Sequence, residues 1–240
     1  MDRRVLVTGA GSGIGRASAV RAAAEGARVA VSDVRADLAE EAAAQIRSAG
    51  GEALAIACDV AEEVQVAEAV GLVASELGGL DGVVASAGIV TGGRTHELTL
   101  DDWELVLRVN LTGVFLTLKH ALPALVEAGG GSIVTIGSVS SVVIGAGGSA
   151  ASYKAAKGGV LQLTRAVAVE YAGDGVRANC VCPGLVATNI AEHARELASR
   201  TTTPLSPAPP IKMRPPLDRA ADPSEIAGVV AFLLSDDASF

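Results

Sequence analysis

Short strand-like runs alternate with long Ala-rich stretches of helical spacing along most of the chain, and few folds accommodate that order. The runs of Val, Ile and small residues are 4–8, 28–33, 53–57, 82–86, 132–137 and 177–181. Helical patterns fill the intervals at 14–25, 38–49, 62–77, 101–128 and 152–171. Strands separated by helices pair in parallel, because each return needs a crossover, and the crossover helices cover both sheet faces. Right-handed crossovers then give an α/β fold with one doubly wound parallel sheet. With 240 residues, no repeat and no linker, a single domain over 1–240 is expected. Half the residues are apolar and only 2% are aromatic, which suits close packing of Ala, Val and Leu between helices and sheet.

The formal charge of −8 argues against a nucleic-acid partner, which selects a basic face. Residues 1–4 lead into a short strand-like run, so no signal peptide is expected, and no apolar run approaches the roughly 18 residues of a membrane span. Cys58, Cys180 and Cys182 have no framework spacing and read as reduced, buried thiols of a cytoplasmic protein. No histidine clusters with Cys180 and Cys182, so no metal site is expected.

Gly9, Gly11, Gly13 and Gly15 lie between the first strand and the first helix, which Ile14 helps to open. Glycine lets a backbone turn tightly and approach a pyrophosphate, and the helix amino terminus offers N–H groups and a positive dipole end. Asp33 ends the second strand, where a carboxylate binds the ribose 2′-hydroxyl of NAD and repels the extra phosphate of NADP. Ser12 is neutral at a place where a base would welcome that phosphate, whereas Arg35 is a contrary sign. NAD is the expected cofactor. Asp59 and Val60 end the third strand; Asp59 can cap a helix from Glu62, reach the adenine amino group, or do both.

Tyr153 and Lys157 share a helix face at i and i+4. A nearby ammonium favours the phenolate and lowers a tyrosine pKa from about 10, as a general acid/base near neutral pH requires. Ser138 closes the fifth strand, placing a hydroxyl at the sheet's carboxyl edge. Tyr171 has no such lysine and reads as a packing residue at a helix end. Six of the nine prolines fall between Pro204 and Pro216, after a short helix with Asn189 as N-cap. This segment, 189–216, follows the sixth strand and is expected to be a substrate lid.

In this order and spacing the motifs resemble the short-chain dehydrogenase/reductase family over nearly the whole chain, with its Rossmann-like fold. The resemblance implies that Lys157 binds the nicotinamide ribose and lowers the Tyr153 pKa, and that Tyr153 exchanges a proton with an alcohol or carbonyl. It implies that Ser138 orients the substrate oxygen and that Asn110 holds a water in a proton relay. Cofactor contacts are implied at Gly9, Ser12, Gly13, Ile14, Gly15, Asp33, Asp59, Val60, Ala87, Gly88 and Val109. Further contacts are implied at Tyr153, Lys157, Pro183, Gly184, Val186 and Thr188. A homotetramer is also implied, and the stretches 101–128 and 152–171, apolar all round, fit burial on more than one side.

The chain departs from the family pattern in three places. Ala85-Ser86-Ala87-Gly88 stands where the family has Asn-Asn-Ala-Gly, so Ala85 lacks an amide side chain. The interval from Ser138 to Tyr153 is slightly long and holds Gly145, Gly147 and Gly148, which alters the pocket wall. Family members continue into another strand beyond 236–240, so either a tail lies outside this sequence or the sheet is short by one strand. The expected activity is NAD(H)-dependent interconversion of a secondary alcohol and a ketone. The segments 89–95 and 139–150, mostly small or apolar, suggest a neutral substrate. Reduction of a 3-oxoacyl thioester on acyl carrier protein is the alternative, and a non-catalytic dinucleotide-binding regulator is a third reading.

Overall fold

The computed structural model describes residues 2–144, 150–190 and 216–240. Its six strands are β1 (Arg4–Thr8), β2 (Arg28–Asp33), β3 (Glu52–Ala57), β4 (Gly82–Ala85), β5 (Gly131–Ile136) and β6 (Val176–Val181). They form one parallel sheet in the order β3-β2-β1-β4-β5-β6, each within one residue of its expected bounds. The order reverses between β1 and β4, and the crevice for a ligand opens at that switch, at the strands' carboxyl ends.

Alternation along each strand builds two cores. Leu6, Val83 and Ile133 face one layer, while Val5, Val7, Val84 and Val134 face the other. Leu6, Leu118 and Ile133 are no more than 1% exposed, and each full burial stabilises by about 1.5–3 kcal/mol. Helices α1 (Gly13–Ala24) and α2 (Ala36–Ser48) cover the second layer through Ala19, Ala22, Ala42 and Ile46. Helices α3 (Glu63–Glu76), α5 (Gly113–Glu127) and α6 (Ala151–Glu170) cover the first through Val73, Leu118, Leu125 and Val160.

Three elements differ from expectation. The helix expected over 101–128 is α4 (Leu100–Leu107), a π turn (Arg108–Thr112) and then α5. A helix absent from the sequence reading, α7 (Pro223–Leu234), packs on α1. Its start is a reciprocal cap: Asp222 accepts from Ser224 N, and Glu225 accepts from Asp222 N at 2.7 Å. The N-cap of α3 is Glu62 rather than Asp59, whose carboxylate instead accepts from Ala61 N at 2.9 Å. The stretch Leu100–Glu127 is also long and apolar enough, by length and composition, to cross a membrane. Half of its most apolar window is buried, with Val114, Leu118 and Leu125 in the core, and that burial accounts for the composition.

Candidate active site

At the switch between β1 and β4, glycine is required by contact as well as conformation. Gly9 and Gly13 have φ of 62° and 53°, left-handed values that favour glycine. A Cβ on Gly15 would collide with the Gly9 carbonyl oxygen, and one on Gly9 would lie 2.5 Å from the Ala87 Cα. Ser12 is the N-cap of α1 but makes no side-chain capping bond, which leaves the helix end open to an anion. Ile14 packs into the core beneath the turn. Asp33 reaches back from β2, and its Oδ2 accepts from Gly11 N at 3.0 Å. Thr188 closes the other side, since a Cβ on Gly13 would lie 3.2 Å from its methyl. A backbone cradle, an uncapped helix start and an acid at the edge fit the pyrophosphate and ribose of a dinucleotide.

The remaining cofactor candidates flank this turn. Val60 is buried against Gly113, at the end of β3 and two strands out from β1. Val109 lies in the π turn and packs on the core. Pro183 O accepts from Val139 N at 2.8 Å, which ties the turn after β6, with its exposed Gly184, to the segment after β5. Val186 pairs with Ala221 in an isolated bridge.

Ser138, Tyr153, Lys157 and Asn110 lie at the adjoining ends of β4, β5 and α6. Asn110 is fully buried in the π turn; it donates to Ile89 O and Val106 O at 2.9 Å and accepts from Ile89 N at 3.2 Å. π turns often mark functional positions. A Cβ on Gly88 would lie 2.8 Å from Asn110 Oδ1 and 3.6 Å from Lys157 Nζ, so Gly88 is the point where these two side chains and the β4 loop meet. Ser138 is 8% exposed; its Oγ accepts from Ser140 N at 3.1 Å and lies near enough to the Tyr153 phenol to favour the phenolate.

The electrostatics differ from the sequence-based expectation. Tyr153 is pushed above its usual value near 10, not below it: burial dominates, and the Ser138 hydroxyl offsets only part of the rise. Lys157 explains why. Its Nζ lies 5.8 Å from the Tyr153 ring centroid and donates at 2.6 Å to Ile136 O. Burial brings its own pKa down to about 8, with Cys180 and Cys182 acting the other way.

One member of the site escaped the sequence reading. Ser141 Oγ accepts from Ser138 N at 3.1 Å and donates to Lys157 O at 2.8 Å, joining the Ser138 turn to α6. The spacing Ser138-x-x-Ser141, a capping-box pattern at a strand end, is the signal that would have found it. Cys180 and Cys182 are half-buried rather than buried as expected; Cys58 is buried. Val142, Val143 and Ile144, beyond Ser138, are each more than half exposed and form an apolar rim. An isolated bridge between Gly93 and Ala150 brings the 89–95 loop to the start of α6. The segment 189–216 lies almost wholly outside the described residues, as do Gly145, Gly147 and Gly148.

A family profile described as enoyl-(acyl carrier protein) reductase matches residues 9–240. The chain is 41% identical over 240 residues to the meso-2,3-butanediol dehydrogenase of Serratia marcescens, covering all of this chain and 90% of that protein. It is 42% identical over 240 residues to the cis-4-hydroxycyclohexanecarboxylate dehydrogenase of Sinomonas cyclohexanicum, covering all of this chain and 92% of that one. Among solved structures, a short-chain type dehydrogenase/reductase from Mycobacterium marinum superposes with a TM-score of 0.89 at 35% identity, covering 99% of this chain and 90% of that one.

Proposed function

Because the chain belongs to the short-chain dehydrogenase/reductase family, we propose that it interconverts a secondary alcohol and a ketone with a nicotinamide dinucleotide. The observation that carries the reading is the buried Ser138 hydroxyl next to the half-buried Tyr153 phenol, beside the Lys157 ammonium and one glycine away from the dinucleotide cradle. The names of both relatives denote secondary alcohols.

When bound, the nicotinamide supplies or accepts the hydride, and the protein supplies orientation and charge. Gly9 to Gly15 hold the pyrophosphate, and Thr188 flanks them. Asp33 binds the ribose hydroxyl and disfavours a phosphate there, which supports NAD over NADP. Asp59, Val60, Ala87, Gly88, Val109, Pro183, Gly184 and Val186 line the remainder of the cofactor's path. The Tyr153 phenol, protonated at neutral pH like any phenol that titrates near or above 10, gives its proton to the carbonyl oxygen in reduction and receives one in oxidation. The Ser138 hydroxyl donates to the same oxygen; losing one such donor costs about 10²–10³ in rate. Lys157, held by Ile136 O beside the Tyr153 ring, serves the ribose and is charged below about pH 8, and Asn110 holds the far side of the relay.

The apolar rim at Val142, Val143 and Ile144 supports a neutral substrate. We also read 1–240 as one domain with 189–216 as its lid, the assembly as a homotetramer, and the compartment as the cytoplasm, in line with three free cysteines. Reduction of a 3-oxoacyl thioester is the second reading: the profile's description shares its acyl-carrier-protein substrate but names reduction of a C=C bond, and a solved 3-ketoacyl-ACP reductase from Sinorhizobium meliloti is 34% identical to this chain. The test follows NADH and NADPH absorbance with 2,3-butanediol, cyclohexanol, their ketones and acetoacetyl-coenzyme A. Turnover of a simple secondary alcohol or ketone with NAD(H) is expected. Turnover of the thioester alone would reverse the ranking, and no turnover of any of them would sink both.

A further inference from the structure

Cys180, in β6, and Cys182, just beyond it, are two residues apart and so face the same side of the sheet. Their Sγ atoms lie 3.8 Å apart. Both sulfurs rest on Gly137, where a Cβ would lie 2.7 Å from Cys180 Sγ and 3.1 Å from Cys182 Sγ. Gly137 sits between Ile136, whose carbonyl accepts from Lys157, and Ser138. Cys182 lies one residue past the last ladder pair of the strand, Ile136 with Val181, between Val181 O, which accepts from Gly137 N, and Pro183 O, which accepts from Val139 N, each at 2.8 Å. The third cysteine, Cys58, is buried at the end of β3 on the far side of the sheet order.

We propose that Cys180 and Cys182 form an oxidisable dithiol beneath the candidate active site, closed to a disulfide by a hydroperoxide. A disulfide bond of about 2.05 Å asks the sulfurs to approach by about 1.8 Å. The Cys182 thiolate attacks the peroxide, the O–O bond breaks, and an alcohol or water leaves as Cys182 becomes a sulfenic acid. The Cys180 sulfur then displaces the hydroxyl, which departs as water with the Cys180 proton. In balance, two thiols and one hydroperoxide give a disulfide, an alcohol and water. The two electrons come from the sulfurs. Cys182 is the attacking group because it lies beyond the end of β6, whereas Cys180 is inside the ladder, paired with Thr135. The buried Lys157 ammonium is close enough to be influenced by both sulfurs, so it stabilises a thiolate there. Closure draws Cys182 and its neighbour Pro183 toward Gly137. It thereby disturbs Ile136, Ser138 and the Pro183–Val139 tie. Thiol–disulfide exchange with an added dithiol opens the link again.

The loss of turnover rests on the dehydrogenase reading; the thiol chemistry does not. Reduced full-length protein is treated with a slight excess of hydrogen peroxide, and free thiols are counted after denaturation. The count should fall from three to one, the intact mass should drop by two hydrogens, and turnover should fall and return with dithiothreitol. Cys58→Ser should go from two thiols to none. Cys182→Ser should keep two thiols and its turnover under the same dose, whereas Cys180→Ser should lose one thiol to a sulfenic acid at Cys182, gain one oxygen in mass and form no disulfide within the chain. Three thiols surviving in the wild type, or a single sulfinic acid with no disulfide, would overturn the proposal. So would a disulfide that leaves turnover unchanged. If no substrate turns over at all, the dehydrogenase reading fails, while thiol count and mass still decide whether the pair closes.

Discussion

Replacing Lys157 by Met removes a buried ammonium and keeps an unbranched stem. Folding lowers the lysine pKa from 10.5 to about 8, chiefly by burial. At about 1.4 kcal/mol per pH unit, that difference costs the folded state about 3 kcal/mol whenever both states hold the proton. The cost is therefore in full force below pH 8. Between about 8 and 10.5 the folded state sheds its proton first and the cost fades, and above 10.5 it is gone. Against this, the variant leaves Ile136 O without its donor, a loss of about 1–3 kcal/mol at any pH. At pH 7 the first effect wins, so Lys157→Met should be the more stable protein by about 1 kcal/mol, or about 2–4 °C in Tm. At pH 10.5 the order should reverse. Urea unfolding of both proteins from pH 7 to 10.5 measures the difference directly. Turnover should be lost throughout. A stability difference that stays flat across this range would refute the buried-ammonium argument, whatever its sign.

Tyr153→Phe should lower kcat by about 10²–10⁴-fold with NADH affinity unchanged; near-normal kcat would remove Tyr153 from the proton-transfer role. Ultraviolet titration of the cofactor-free wild type against this variant should place the Tyr153 phenolate above pH 10, since burial raises its pKa. Gly88→Ala puts a Cβ 2.8 Å from Asn110 Oδ1 and should cost about 1–3 kcal/mol of stability together with most of the turnover, read by urea unfolding and steady-state kinetics. Asp33→Ala removes the acceptor of Gly11 N and should narrow the preference for NAD; a kcat/KM ratio for the two cofactors that does not move would exclude Asp33 from the choice. Ser141→Ala loses both hydrogen bonds that join Ser138 to α6, so kcat should fall more than the KM for NADH rises, and Ser141→Thr should restore it.

The strands were legible because each is a short apolar run with a fixed period, and the parallel order followed from the helices between them. The glycine turn and the Ser138, Tyr153 and Lys157 set were legible because they lie at strand ends and on one helix face. Other features depend on partners distant in sequence. The π turn at Arg108–Thr112 is held where Asn110 bonds Ile89, and nothing in the helical pattern on either side announces it. The direction of the Tyr153 shift is not legible in the sequence, because the i, i+4 spacing gives proximity but not aim. Lys157 turns to Ile136 O, a residue 21 positions earlier. Helix α7 is different: Asp222-Pro223-Ser224-Glu225 is a start signal readable in the sequence alone.

The π turn also changes what a single rod can do. An α-helix advances about 100° per residue, so one surplus residue shifts the phase of everything after it. Before the turn, α4 presents its apolar stripe to α6; after it, α5 presents a differently aimed stripe to α3. One continuous rod thus serves two neighbours that a regular helix would have to choose between. Length matters there more than side-chain identity. Deleting one residue between Arg108 and Thr112 would return the rod to regular winding and swing one of its two stripes toward water, whereas exchanging Leu111 for another aliphatic residue would leave both in place.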